Sequence, residues 1–173
     1  MQKICCKMTL GVLLFVSSCN VEKLADRISP VAEKSMATTN SKMLNLTDLE
    51  KSVHERVNKY RASRNLPPLT LNSSIIEQAR IHSQNMANGK VPFSHNGFQQ
   101  RVDIIGKSIT YRSAAENVAY NLGFSDPDRN AVEGWIKSPG HRKNMEGDYN
   151  LTGIGIAKNP KGEYYFTQIF IQK

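Results

Sequence analysis

All three cysteines of this chain, Cys5, Cys6 and Cys19, fall within its first 19 residues, so the rest of the 173-residue sequence has no thiol for a disulfide or a cysteine-ligated metal. Whatever folds beyond residue 19 must therefore be held by a buried apolar core. About 130 residues, the length left after a polar linker, is ordinary for one domain and large enough to bury such a core unaided.

The segment that carries the cysteines, "MQKICCKMTLGVLLFVSSCN", is unlike the rest of the chain. Lys3 and Lys7 give a positive start and Met8 to Val16 an apolar stretch, the layout of a targeting segment. The stretch is well short of the roughly 20 residues that a membrane-spanning helix needs. Val16-Ser17-Ser18-Cys19 resembles the lipobox of bacterial lipoproteins, which implies a signal peptide over residues 1–18 and diacylglycerol and palmitate on Cys19. An ordinary secretory signal cleaved nearby, or an uncleaved anchor, would use the same apolar run. Residues 19–46 are then a lipidated N-terminus and a flexible tether, since "NVEKLADRISPVAEKSMATTNSKMLN" is polar and shows no sustained apolar period. The formal charge of +8 falls by two with Lys3 and Lys7, and the remaining cations are scattered among acids. Nucleic-acid binding is not indicated.

The globular part, residues 47–173, opens with an amphipathic pattern. Thr47 and Glu50 have capping-box spacing, and Leu49, Val53, Val57 and Tyr60 recur at helical intervals, which predicts a helix from near residue 48 that ends before Pro67-Pro68. "LPPLTLN" reads as an extended connector, and a second helix follows Asn72-Ser73-Ser74 and stops at Gly89. "QQRVDIIGKSITYRSAAENVAY" holds a short helix or turn and then an irregular segment. In "SDPDRNAVEGWIKSPG", Ser125 or Asp126 caps a helix with Pro127 in its first turn, and Pro139-Gly140 ends it. The C-terminus reads as two β-runs around Asn159-Pro160-Lys161-Gly162. Helices first and a hairpin last point to an α+β fold.

Four histidines are available for chemistry. His82 falls on the apolar face of the second helix, as a core histidine satisfied by one hydrogen bond would, and His54 suggests no chemistry. His95 in "FSHNG" and His141 in "SPGHRKN" occur in turn-rich segments, where rigid scaffolds place functional side chains. Glu116, set among alanines in "AAENVAY", is a carboxylate that needs a partner. Three arrangements can be drawn from these residues. His95, His141 and Glu116 form a donor set suited to zinc or another divalent cation, although no HExxH spacing supports it. Ser138, His141 and Glu116 could be a hydrolase triad, although no G-x-S-x-G elbow is present. The same groups also suit a polar network that ties loops to helices.

The blocks "VHERVNKYRASRNLPPLTLN", "QARIHSQNMA", "FSHNGF", "AAENVAY", "AVEGWIKSPGHRKNM" and "TGIGIA", taken in order, resemble the CAP superfamily of cysteine-rich secretory, antigen-five and pathogenesis-related-one proteins in its bacterial form. The resemblance runs from about Leu49 to Phe170. It implies a three-layer α-β-α sandwich around a small antiparallel sheet, with a cleft of two histidines and two glutamates. His95, Glu116 and His141 match three of those four positions. The fourth, three residues after the tryptophan in eukaryotic members, is Ser138 here, and Glu133 lies on another side of that helix. The disulfides of secreted eukaryotic members are absent, so packing must come from residues such as Val57, Ala79, Trp135, Ile154 and Ile169.

Together these features describe a monomeric domain tethered to the bacterial cell envelope through a lipid, at the outer membrane on its periplasmic face or at the cell surface. Its cleft, with His95, Glu116, Ser138 and His141, would bind a lipid or protein ligand rather than catalyse a reaction. The alternative is a divalent-metal-dependent hydrolase or peptidase that uses the same cleft with His95, His141 and Glu116 as ligands.

Overall fold

The computed structural model describes residues 30–173, with side chains placed from Leu46 onward. The expected signal, the lipidated Cys19 and the tether up to residue 29 lie outside the described residues. The chain divides into two units, Met1–Thr38 and Thr39–Lys173; of the first, the described residues are helical.

Among the described residues, five helices and four strands follow in the order α1 (Pro30–Ser63), β1 (Thr70–Leu71), α2 (Ser73–Ala87), α3 (Phe98–Gly106), β2 (Ser113–Asn121), α4 (Pro127–Lys137), α5 (Pro139–Glu146), β3 (Leu151–Lys158) and β4 (Tyr164–Gln172). The four strands form one sheet in the order β1-β3-β4-β2. β3 pairs antiparallel with β4, and β4 with β2, while the short β1 lies parallel to the start of β3. The sheet is thus antiparallel apart from that edge.

Alternation along β4 separates two cores. Phe166 and Phe170 face α1, α4 and α5, where they pack with Val53, Val57, Trp135, Met145, Ile154 and Ile156. Ile169 and Ile171 face the other side, with Ile75 and Ala79 of α2 and Val102 and Ile105 of α3. This is the expected α-β-α sandwich, and Val57, Ala79, Trp135, Ile154 and Ile169 are all buried as the sequence predicts. The glycines of "TGIGIA" explain the tight seam between α2 and β3: a Cβ on Gly153 would lie 2.3 Å from the Ile76 nitrogen, and one on Gly155 2.1 Å from that of Arg80.

Three local expectations are corrected. α1 begins at Pro30, so residues 30–45 are helical and Thr47–Glu50 is not a capping box. Proline suits a first helical turn, and no glycine or further proline interrupts the run. Glu50 instead pairs with Arg80 of α2 (2.9 Å) and accepts a hydrogen bond from the Ile156 N–H on β3 (3.2 Å). "SAAENVAYN" is the regular strand β2, and not an irregular segment. Its small alanines hide the alternation that marks a strand, because helices tolerate alanine equally. Pro139-Gly140 ends α4 as expected, with Ser138 as its extended C-cap, but it also opens a further helix, α5, where the sequence suggested only a stop.

Candidate functional site

β2 is an edge strand, and its two faces present different chemistry. Glu116 lies opposite Ile169 and so faces α2 and α3, whereas Asn117 lies opposite Gln168 and faces α4 and α5. Residues from both helical layers meet around this edge.

On the first face, the loop before α3 carries His95. Gly97 takes a left-handed conformation (φ 79°) as the helix N-cap, a geometry glycine adopts without strain. The helix then presents Arg101 to Glu116. The guanidinium binds the carboxylate through Nε to Oε2 (2.9 Å) and Nη2 to both oxygens (2.8 and 2.7 Å), a bidentate clamp with the glutamate side chain 2% exposed. Arg101 Nη1 also donates to the Asn96 carbonyl (2.9 Å) and to His82 Nδ1 (3.2 Å). An arginine cannot accept, so His82 carries its hydrogen on Nε2, which donates to the Ser94 carbonyl (2.8 Å). Burial, with Arg101 alongside, holds this imidazole below the ordinary histidine range. His95 Nδ1 meets Glu116 Oε1 at 2.9 Å. The chain His82–Arg101–Glu116–His95 fixes the loop that bears His95, and it supplies the partner that Glu116 needs.

On the second face, Asn117 Nδ2 donates to the His141 carbonyl (3.0 Å), and Asn144 Nδ2 donates to Asn117 Oδ1 (2.9 Å) and to the Glu116 carbonyl (3.2 Å). The indole of Trp135 donates to the Val118 carbonyl (3.0 Å), the partner its buried N–H requires. These bonds dock α4 and α5 against the strand and occupy carbonyls on its open edge. His141 projects from α5, its ring centroid 6.3 Å from that of His95. Burial, followed by the neighbouring His95, lowers its pKa, so it is a neutral imidazole at pH 7.

Along this edge runs an open cleft of about 330 Å³, lined by Phe93, Val118, Ala119, Tyr120, Asn130, Ala131, Gly134, Trp135, Ser138 and His141. Of the sequence-predicted residues, His141 and Ser138 line it. Glu116 sits behind the strand, in contact with His95. No hydrogen bond joins Ser138 to His141 among the described residues, and Glu116 orients His95 instead, so the hydrolase triad is not assembled.

The metal set fares similarly, for Glu116 has both oxygens on Arg101, and a divalent cation there would have to displace a buried guanidinium. No group of three or more histidine, cysteine, aspartate or glutamate side chains is assembled for a metal among the described residues. Sequence reasoning missed Arg101 and Asn144, as well as the cleft walls Phe93, Tyr120 and Asn130. The available signal was a lone arginine in the apolar run "RVDIIG", opposite in charge to the lone glutamate of "AAENVAY". A larger hollow of about 460 Å³ lies by α2, but its charged residues, Glu50 and Arg80, neutralise each other.

Comparison with known proteins agrees with this architecture. Uncharacterized protein YkwD of Bacillus subtilis is 32% identical over 155 residues, which cover 88% of this chain and 58% of that protein. The uncharacterized membrane protein YlbC of the same organism is 32% identical over 133 residues, 73% of this chain and 35% of that one. This chain thus spans little more than half of one curated relative and about a third of the other. A crystal structure of an extracellular protein containing an SCP domain from Bacillus anthracis superposes with a TM-score of 0.59 at 26% identity, covering 84% of this chain and 44% of that one. Residues 54–170 match the cysteine-rich secretory protein family, and the chain belongs to that CAP family.

Proposed function

We propose that this protein is a lipid-anchored CAP-domain protein of the bacterial cell envelope, and that its domain binds a ligand or partner in the cleft along β2 without catalysing a reaction on it. The observation that carries this reading is the Arg101–Glu116 clamp. A triad needs a carboxylate that orients His141, and a metal site needs one free to ligate, whereas Glu116 contacts His95 and has both oxygens on Arg101. An open cleft bordered by aromatic side chains and a neutral imidazole is suited to holding a ligand. The anchoring part rests on Cys19 and its lipobox, and it agrees with an extracellular protein and a named membrane protein among the relatives. Among the described residues no helix is long and apolar enough to cross a membrane.

Two measurements test the proposal. Mass spectrometry of the membrane fraction should find diacylglycerol on Cys19, and a soluble, unmodified chain would refute the anchor. For the cleft, Gly134 faces open space, so Gly134→Trp should fill the site without disturbing α4. That variant should keep its melting temperature and lose binding to solubilised envelope fractions. Stoichiometric zinc uptake by calorimetry at neutral pH, abolished in both His95→Ala and His141→Ala, would reverse the choice in favour of the metal-dependent hydrolase.

A further inference from the structure

The walls of the cleft narrow the kind of ligand it would take. No lysine, arginine, aspartate or glutamate lines it, so nothing there offsets the desolvation of a phosphate, a carboxylate or a cationic ligand. Its polar lining consists of Asn130, Ser138 and His141, and no side-chain hydrogen bond to any of the three is made among the described residues. An amide, a hydroxyl and a neutral imidazole can each both donate and accept.

Beside them stand two aromatic rings left largely in solvent, Phe93 (51% exposed) and Tyr120 (43%), with centroids 6.2 Å apart and planes tilted by 53°. Tyr120 is held in this pose by Tyr165, 5.2 Å away, and by donating its hydroxyl to Glu163 (3.1 Å). An extended peptide that adds a strand to β2 is disfavoured, because Asn144 and Trp135 already occupy the Glu116 and Val118 carbonyls on the open edge.

An exposed aromatic pair, with Tyr120 held in place, next to uncharged groups that donate and accept matches the chemistry of a sugar. Sugar rings offer apolar C–H faces for stacking and a rim of hydroxyl and acetamido groups for hydrogen bonding. We propose that the cleft binds an uncharged segment of a glycan chain bearing N-acetyl groups, stacked on Phe93 and Tyr120 and hydrogen-bonded by Asn130, Ser138 and His141. This inference rests on the cleft being a binding site, as proposed above, and names what it binds. The chemistry is shared by the glycan of a bacterial wall and by free amino-sugar chains.

Trp135 is the only tryptophan in the chain and lines the cleft, so intrinsic fluorescence of the full chain in detergent reports on occupancy. The probes are chitotetraose, cellotetraose (the same backbone without acetamido groups) and muramidase-released peptidoglycan fragments. Chitotetraose should give a saturable change, with cellotetraose about tenfold weaker. Phe93→Ala and Tyr120→Ala, both at exposed positions that leave the fold intact, should each weaken binding roughly tenfold or more. Saturation by the peptidoglycan fragments as well supports a wall glycan, and saturation by chitotetraose alone supports free amino-sugar chains.

Equal affinity for cellotetraose, or binding untouched by both aromatic variants, overturns the assignment. Absence of saturation with all three probes also overturns it. In that case envelope binding that Gly134→Trp still abolishes leaves the cleft reading standing, whereas loss of that dependence removes both.

Discussion

Arg101 carries more of the local architecture than any other residue around the cleft. It neutralises a glutamate buried behind the edge strand, holds the carbonyl of Asn96 and sets the tautomer of His82. Replacing it with methionine keeps much of its apolar stem but strands Glu116 without a counter-charge. The expected loss is about 3–5 kcal/mol, measurable by urea denaturation, and Arg101→Met with Glu116→Gln should recover part of it. Arg61 plays a parallel part at the far end of α1. Its guanidinium, 1% exposed, donates to the carbonyls of Pro67 (2.8 Å), Met145 (2.7 Å), Gly147 (3.0 Å) and Tyr149 (3.2 Å). It thereby pins the connector before β1 and the loop before β3, and Arg61→Met should destabilise by about 3 kcal/mol through orphaned acceptors. Local sequence hints at Arg101 only through its isolation in an apolar run, and the partners that decide both roles, Glu116 for Arg101 and Met145 to Tyr149 for Arg61, lie 15 or more residues away.

At the scale of elements, the seam between α2 and β3 depends on what the glycines leave out. Gly155→Ala would put a methyl group inside the van der Waals radius of the α2 backbone, which cannot yield as a side-chain tip would. The helix would have to lift from the sheet, at a cost of about 3 kcal/mol or more, seen as a lowered denaturation midpoint. The glycine pattern of "TGIGIA" was visible beforehand, and its β-branched partners mark a strand; the helix it accommodates was not. The hairpin β3–β4 and the start of α2 follow their local signals, with Asn72 Oδ1 accepting from the Ser74 and Ile75 N–H groups (3.0 and 3.3 Å). α5 shows the limit of such signals, because Ser-Pro-Gly reads as a stop and here serves both to end α4 and to start α5.

Across the whole molecule, the two histidines with lowered pKa couple stability to pH. In the unfolded chain both titrate at about 6.5, while the folded protein resists protonating them. As pH falls through that value the unfolded state takes up protons that the folded state refuses. The contribution is fully present above about pH 6.5 and is lost as pH drops toward the depressed folded values. The melting temperature should therefore decline from pH 7.5 to pH 5. His82→Gln keeps an acceptor for Arg101 and a donor for Ser94 without a titrating ring, and should flatten that decline; an unchanged slope would assign it to other groups.

The sequence alone determined that a disulfide-free core must hold the domain and that helices precede a C-terminal hairpin, and its resemblance to the CAP family implied that His95, Glu116 and His141 belong to one neighbourhood. Periodicity, turn residues and block order are local properties of the chain, and they survive without the fold. The tertiary structure decided the rest, because it depends on which groups meet across long separations. It showed Glu116 committed to Arg101, the His95 and His141 rings meeting 6.3 Å apart around an edge strand, and an uncharged cleft where a metal site of His95, His141 and Glu116 was the alternative. Charge pairing and burial decide what a carboxylate can do, and neither can be computed from spacing along a chain.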